Sequence, residues 1–98
     1  MIHLVMFKIR EGAAREDVDR LVTEARAKLT QIPGVSNLRA GWVMQRDCPH
    51  RVVLSMELPS EEALAAYRTH PIHVDYVENV IKPVESERLV IDFSEEPL

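Results

Sequence analysis

Cysteine is nearly absent from this 98-residue chain: Cys48 is the only one, so no internal disulfide can form. One thiol also cannot supply the several thiolates of a structural zinc site, and it fits best with a reducing cytoplasm. Positive charge is in the minority, with 12 Lys and Arg against 16 Asp and Glu and a net charge of -4. That balance has the wrong sign for a domain that holds nucleic acid by its phosphates. Long hydrophobic runs are missing too: none approaches the ~20 residues needed to cross a bilayer, so neither nucleic acid nor a membrane is an expected partner. The opening Met1-Ile2-His3-Leu4-Val5-Met6-Phe7 is apolar, but no basic residue precedes it and no small-residue cleavage site follows it. It reads as a strand rather than a signal peptide.

What is present is an ordinary globular composition, 46% hydrophobic and 29% charged, on the scale of one domain. Residues 1–93 are expected to form it, with Ser94-Glu95-Glu96-Pro97-Leu98 as a solvated tail. At this length folding removes only about 60 to 65% of the chain's surface from water, so a second subunit is expected to cover more apolar surface.

The apolar pattern gives the order of elements. From Ile2 to Ile9 both alternating sets are apolar, Ile2, Leu4 and Met6 on one side and Val5, Phe7 and Ile9 on the other, as in a strand covered on both faces. Val18, Leu21, Val22, Ala25, Leu29 and Ile32 then recur at helical spacing, which predicts a surface helix over about residues 14 to 31. Pro33 and Gly34 stop it. Leu38, Ala40, Trp42 and Met44 predict a second strand, and Val52, Leu54, Met56 and Leu58 a third, antiparallel to the second. Pro59-Ser60-Glu61-Glu62 starts a helix, with Ser60 as its cap and two carboxylates at the positive end of its dipole. Pro71 starts another, short helix that ends by Pro83, and Leu89, Ile91 and Phe93 alternate in a last strand. The order strand, helix, strand, strand, helix, strand predicts an α+β, ferredoxin-like βαββαβ domain with a four-stranded antiparallel sheet. Helices cover one face of that sheet. The other, apolar face is expected to pack on a second copy, making a homodimer.

Chemistry concentrates in Tyr67-Arg68-Thr69-His70-Pro71-Ile72-His73. Pro71 resets the helix, so Tyr67, His70 and His73 can converge instead of following one continuous helical face. His73 falls near the third position of the new helix, where the dipole disfavours imidazolium and keeps the ring able to accept a proton. Tyr67 offers a phenolic donor to a developing enolate. A base beside a donor is the minimum for proton abstraction next to a carbonyl. The same residues also fit a purely structural role, with His70 as a helix cap, His73 on the surface and Tyr67 in the core. A metal set of His70 and His73 with His3 or Asp92 has suitable atoms without a recognisable spacing, and no metal or other cofactor is expected. Cys48 beside Pro49 reads as a bystander.

Several segments together resemble the stress-responsive dimeric α+β barrel (Dabb) family, which includes olivetolic acid cyclase-like polyketide cyclases. They are His3-Leu4-Val5-Met6-Phe7-Lys8, Ile32-Pro33-Gly34-Val35, Leu64 with Tyr67-Arg68-Thr69-His70-Pro71-Ile72-His73-Val74, and Val90-Ile91-Asp92-Phe93. The resemblance implies a homodimer whose two sheets form a barrel, with a cavity between helices and sheet for a small, largely apolar carbonyl compound or phenol. It implies cofactor-free cyclisation or enolisation with His73 as base and Tyr67 as donor. Asp92 and His70 would orient them, Asp92 by charge-balancing His73, and His3, Val5 and Phe7 would form the substrate-contacting wall. Two other readings stand beside this one. The first is a noncatalytic dimer that serves structure or sequesters a ligand; the second is a cofactor-free oxygenase of quinol-like substrates, by analogy of fold.

Overall fold

The computed structural model describes residues Met1–Leu98. Its strands are β1 (Ile2–Ile9), β2 (Ser36–Trp42), β3 (Val52–Glu57) and β4 (Glu85–Phe93). Its helices are α1 (Arg15–Lys28), α2 (Glu61–Thr69) and α3 (Pro71–Tyr76), with a 3₁₀ turn over Leu29–Gln31 and a π-helical turn over Val77–Ile81. The four strands form one sheet in the order β2-β3-β1-β4, with every neighbouring pair antiparallel. This is the ferredoxin-like α+β architecture read from the sequence.

Because side chains alternate across a strand, β1 divides its apolar residues between two environments. Val5 and Phe7 are buried beneath the helices, while Leu4 and Met6 on the other face are half-buried. The core joins Phe7, Val52, Leu54 and Met56 of the sheet to Leu21, Val22 and Ala25 of α1. The opposite face carries Leu89, Ile91 and Phe93, which stay 43%, 40% and 42% exposed although they are large and apolar. Ladder pairing sets them beside Met6, Leu4 and Ile2, giving one continuous apolar surface. No helix is long and apolar enough to cross a membrane.

The local stops follow the sequence chemistry. Gly34 adopts φ +90°, a left-handed conformation that disfavours any side chain, and turns the chain from the 3₁₀ end of the first helix into β2. Ser60 Oγ accepts the Ala63 N–H at 3.1 Å, capping α2 as expected. Three boundaries differ from the apolar pattern, the smallest at β3, which ends at Glu57 and leaves Leu58 just outside it. β2 begins at Ser36 and ends at Trp42, so Met44 and Gln45 lie outside it, although Val43 N–H still donates to the Arg51 carbonyl at 2.8 Å. Beyond that rung the Arg51 guanidinium donates to the carbonyls of Gln45 and Cys48, at 3.0 and 2.9 Å, closing the loop on itself. β4 begins at Glu85 and ends at Phe93, leaving exposed residues 94–98 without helix or strand.

Candidate active site

The site is assembled where α2 gives way to α3. α2 ends at Thr69, and His70 takes an extended conformation (φ -63°, ψ 136°) that Pro71 imposes on the residue before it. His70 Nδ1 accepts the Ile72 N–H at 3.1 Å, which caps the first turn of α3. His70, expected from the sequence to orient the reacting rings, is not among the residues that line the cavity described below, and its Nδ1 serves the helix start.

The break carries the chain round so that Tyr67 and His73, from two helices, bring their ring centroids to 4.4 Å with a 45° tilt. From below, His3 of β1 meets Tyr67 edge-on at 5.7 Å and 64°. The three rings border a cavity of about 440 Å³ between sheet and helices, lined also by Val5, Phe7, Leu54, Arg68, Tyr76, Val77, Ile81, Arg88 and Val90. His3, Val5 and Phe7, the wall expected from the sequence, all face it.

Two hydrogen bonds fix the imidazoles. His73 Nδ1 lies 2.9 Å from the Arg68 carbonyl, which can only accept, so the ring's Nδ1–H donates and Nε2 keeps its lone pair. His3 Nδ1 lies 2.5 Å from Asp92 Oδ1, and the carboxylate again makes Nδ1 the donor. Asp92 thus braces His3 rather than His73, the partner expected for it. The cause is ladder register, which sets His3 directly opposite Asp92 across β1 and β4. Arg68 Nη2 reaches the other Asp92 oxygen at 3.4 Å.

Electrostatics keeps these groups in complementary states. Burial pulls the His73 imidazolium below its ordinary value against the opposing Arg68 carbonyl, and the neighbouring His3 ring and the charges of Arg88 and Arg68 add to the lowering. His73 is thus neutral at pH 7 and can accept a proton at Nε2. Burial pushes the Tyr67 phenol well above its ordinary range, so it remains a donor. The Tyr67 hydroxyl borders the cavity and makes no hydrogen bond within the protein. Tyr76 differs: its hydroxyl donates to the Leu21 carbonyl at 2.6 Å and ties α3 to α1.

No three His, Cys, Asp or Glu side chains cluster as a metal-ligand set. Cys48 lies in the loop between β2 and β3, away from the cavity. The sequence reading passed over Arg68 and Arg88 as site residues. Arg88 had a signal: it stands four residues before Asp92 on one strand, hence on the same face.

The fold and the ring cluster define a ferredoxin-like domain with a cavity between sheet and helices bordered by His3, Tyr67 and His73. The chain belongs to the stress responsive A/B barrel domain family, Dabb, whose model matches residues 1–95. Among solved structures it is similar to a Dabb family protein of Mesorhizobium loti, at 26% identity and TM-score 0.83 over 99% of this chain and 95% of that one. It is also similar to a dimeric ferredoxin-like protein of unknown function from Thermobifida fusca, at 20% identity and TM-score 0.85 over 95% and 88% of the two chains. A hydroxynitrile lyase from Passiflora edulis shares the fold at 10% identity, with TM-score 0.82 over 99% and 95%. A search of curated proteins found none that matches the chain.

Proposed function

We propose that this Dabb domain acts as a homodimer whose cavity takes a small, largely apolar carbonyl or phenolic compound and moves a proton on it with its own side chains. The observation that carries the reading is one cavity bordered by a neutral His73 with a free Nε2 and by a Tyr67 hydroxyl without a protein partner. His73 removes a proton from the carbon beside a carbonyl, and the electron pair moves onto the carbonyl oxygen as an enolate. Tyr67 donates a hydrogen bond to that oxygen. His3, braced by Asp92, presents its remaining nitrogen from the sheet side as a second polar contact. Cyclisation follows when the enolate carbon attacks a second carbonyl of the same molecule, whose π pair moves onto its oxygen and takes up the proton that His73 removed. The hydroxynitrile lyase that shares the fold is compatible with acid/base work in such a domain.

The dimer reading rests on the exposed apolar face of Leu89, Ile91 and Phe93 and on the dimeric Thermobifida fusca protein of the same fold. We take residues 1–93 as the folding unit with 94–98 as a solvated tail, and the lone Cys48 fits a reducing cytoplasm.

The test is exchange of the α-protons of acetophenone in deuterated buffer, followed by NMR. The wild-type protein should accelerate exchange, and His73→Ala should lose about 10²-fold or more of that acceleration. Tyr67→Phe should lose part of it. Binding of acetophenone with no exchange above buffer would favour the sequestering role, and undiminished exchange in His73→Ala would remove His73 as the base.

A further inference from the structure

The acid/base reading leaves one chemical feature of the cavity unused. Eight of the 12 lining residues are hydrophobic, and those that carry a permanent charge are Arg68 and Arg88. No carboxylate lines the cavity, although the chain as a whole carries 16 acidic residues against 12 basic ones. Guanidinium N–H groups at the edge of a mostly apolar hollow hold an anion by directed, charge-assisted hydrogen bonds.

Arg88 is held in place rather than free. β4 is irregular where Lys8 pairs with Glu87 and Ile9 with Glu85, so Ser86 is an extra residue. The bulge brings Glu85 beside Arg88: its Oε2 lies 3.0 Å from Nε and its Oε1 3.1 Å from Nη2. This pairing occupies one edge of the guanidinium and leaves both Nη1 donors without a protein partner. Arg68 spends one nitrogen on Asp92, at 3.4 Å. Arg68 and Arg88 line the cavity whereas Asp92 and Glu85 do not, so the charged side chains available to a ligand there are the two guanidinium groups. The inward positions of β4 are Arg88, Val90 and Asp92, which sets Arg88 about 13 Å, between Cα atoms, from the Asp92 that braces His3.

We infer that the cavity's ligand is an organic carboxylate. Its anionic group sits on the free edge of Arg88 and its apolar body against Val5, Phe7 and Leu54. Its reacting carbonyl lies toward Tyr67 and His73. A carboxylate matches the planar fork, and in a mostly apolar hollow it is easier to desolvate than a phosphate dianion. The inference rests on the proposed acid/base function of the same cavity and narrows its substrate class.

The test compares 4-acetylbenzoate with methyl 4-acetylbenzoate, the same aryl ketone with and without the charge, by isothermal titration calorimetry on the full chain. Wild type should bind the acid about tenfold more tightly than the ester, as a charge-assisted contact gives. Arg88→Met should bring the ratio to about one by weakening the acid alone. Because that variant leaves Glu85 without its cation, the double variant Glu85→Gln with Arg88→Met repeats the comparison with neither charge present, and the ratio should again fall to about one. Equal binding of acid and ester by wild type overturns the carboxylate assignment and leaves the acid/base reading standing. A tenfold ratio that survives in both variants overturns the assignment to Arg88. Failure of both compounds to bind overturns the assignment together with the function it rests on.

Discussion

The protonation state of His73 can be perturbed by pH alone, and its geometry dictates the response. Its Nδ1 faces the Arg68 carbonyl at 2.9 Å. A neutral N–H···O bond of this kind contributes on the order of 1 kcal/mol net, which biases the neutral ring about fivefold toward the Nδ1–H form. Burial disfavours the imidazolium, so the ring should titrate below the ordinary histidine value of about 6.5. Long-range proton–nitrogen correlation spectra of ¹⁵N-labelled protein, recorded from about pH 8 to 4.5 with His73→Ala to assign the signals, report both tautomer and titration. At the alkaline end Nδ1 should be the protonated nitrogen and Nε2 the bare one. The linked stability has a definite sign: with the folded value depressed, the unfolded chain takes up this proton first as pH falls. His73's contribution is therefore fully present above about 6.5 and declines as pH drops from there toward the folded value. His73→Gln should flatten that part of the stability profile. A ring protonated at Nε2 at the alkaline end, or one titrating at or above 6.5, would refute both the orienting role of the Arg68 carbonyl and the assignment of His73 as base.

Asp92→Ala should cost about 1 to 3 kcal/mol in urea unfolding, because it strands the buried His3 N–H. Loss of the half-exposed Arg68 contact adds little to that figure. Stability within ~0.5 kcal/mol of wild type would mean that the pair does not hold His3. Ile91→Asp places a charge in the exposed apolar face and should convert a dimer to a monomer in light scattering coupled to gel filtration. A variant that stays dimeric would move the partner to another surface.

Most of the architecture was legible because period and punctuation agree along the chain. Both alternating sets of β1 are apolar, and the structure covers one while leaving the other as a half-buried face continuous with β4. Pro33 with Gly34, Ser60 and Pro71 act where their backbone chemistry places them. The end of β2 was not legible, since Met44 and Gln45 continue the alternation. Beyond Trp42 the loop carbonyls of Gln45 and Cys48 are taken by the Arg51 side chain, six and three residues away, a side-chain capture that the alternation of apolar residues does not record.

The candidate site divides along the same line. Tyr67 and His73 stand six residues apart around a proline, and a local argument sufficed to bring them together. The partner of Asp92 is a matter of register between the first and last strands, 89 residues apart in sequence. A shift of one residue would turn Asp92 to the other face of the sheet, away from any histidine. The carboxylate that the sequence attached to His73 is therefore delivered to His3 by the ladder, and the last turn of α2 holds His73 through the Arg68 carbonyl instead. The consequence is chemical. A carboxylate on His73 would favour its imidazolium and oppose the burial that keeps the ring neutral, whereas a carbonyl fixes the tautomer while adding no full negative charge. With Asp92 at His3, the cavity holds one histidine free to accept a proton at neutral pH and a second braced by a carboxylate, on opposite sides of the same tyrosine.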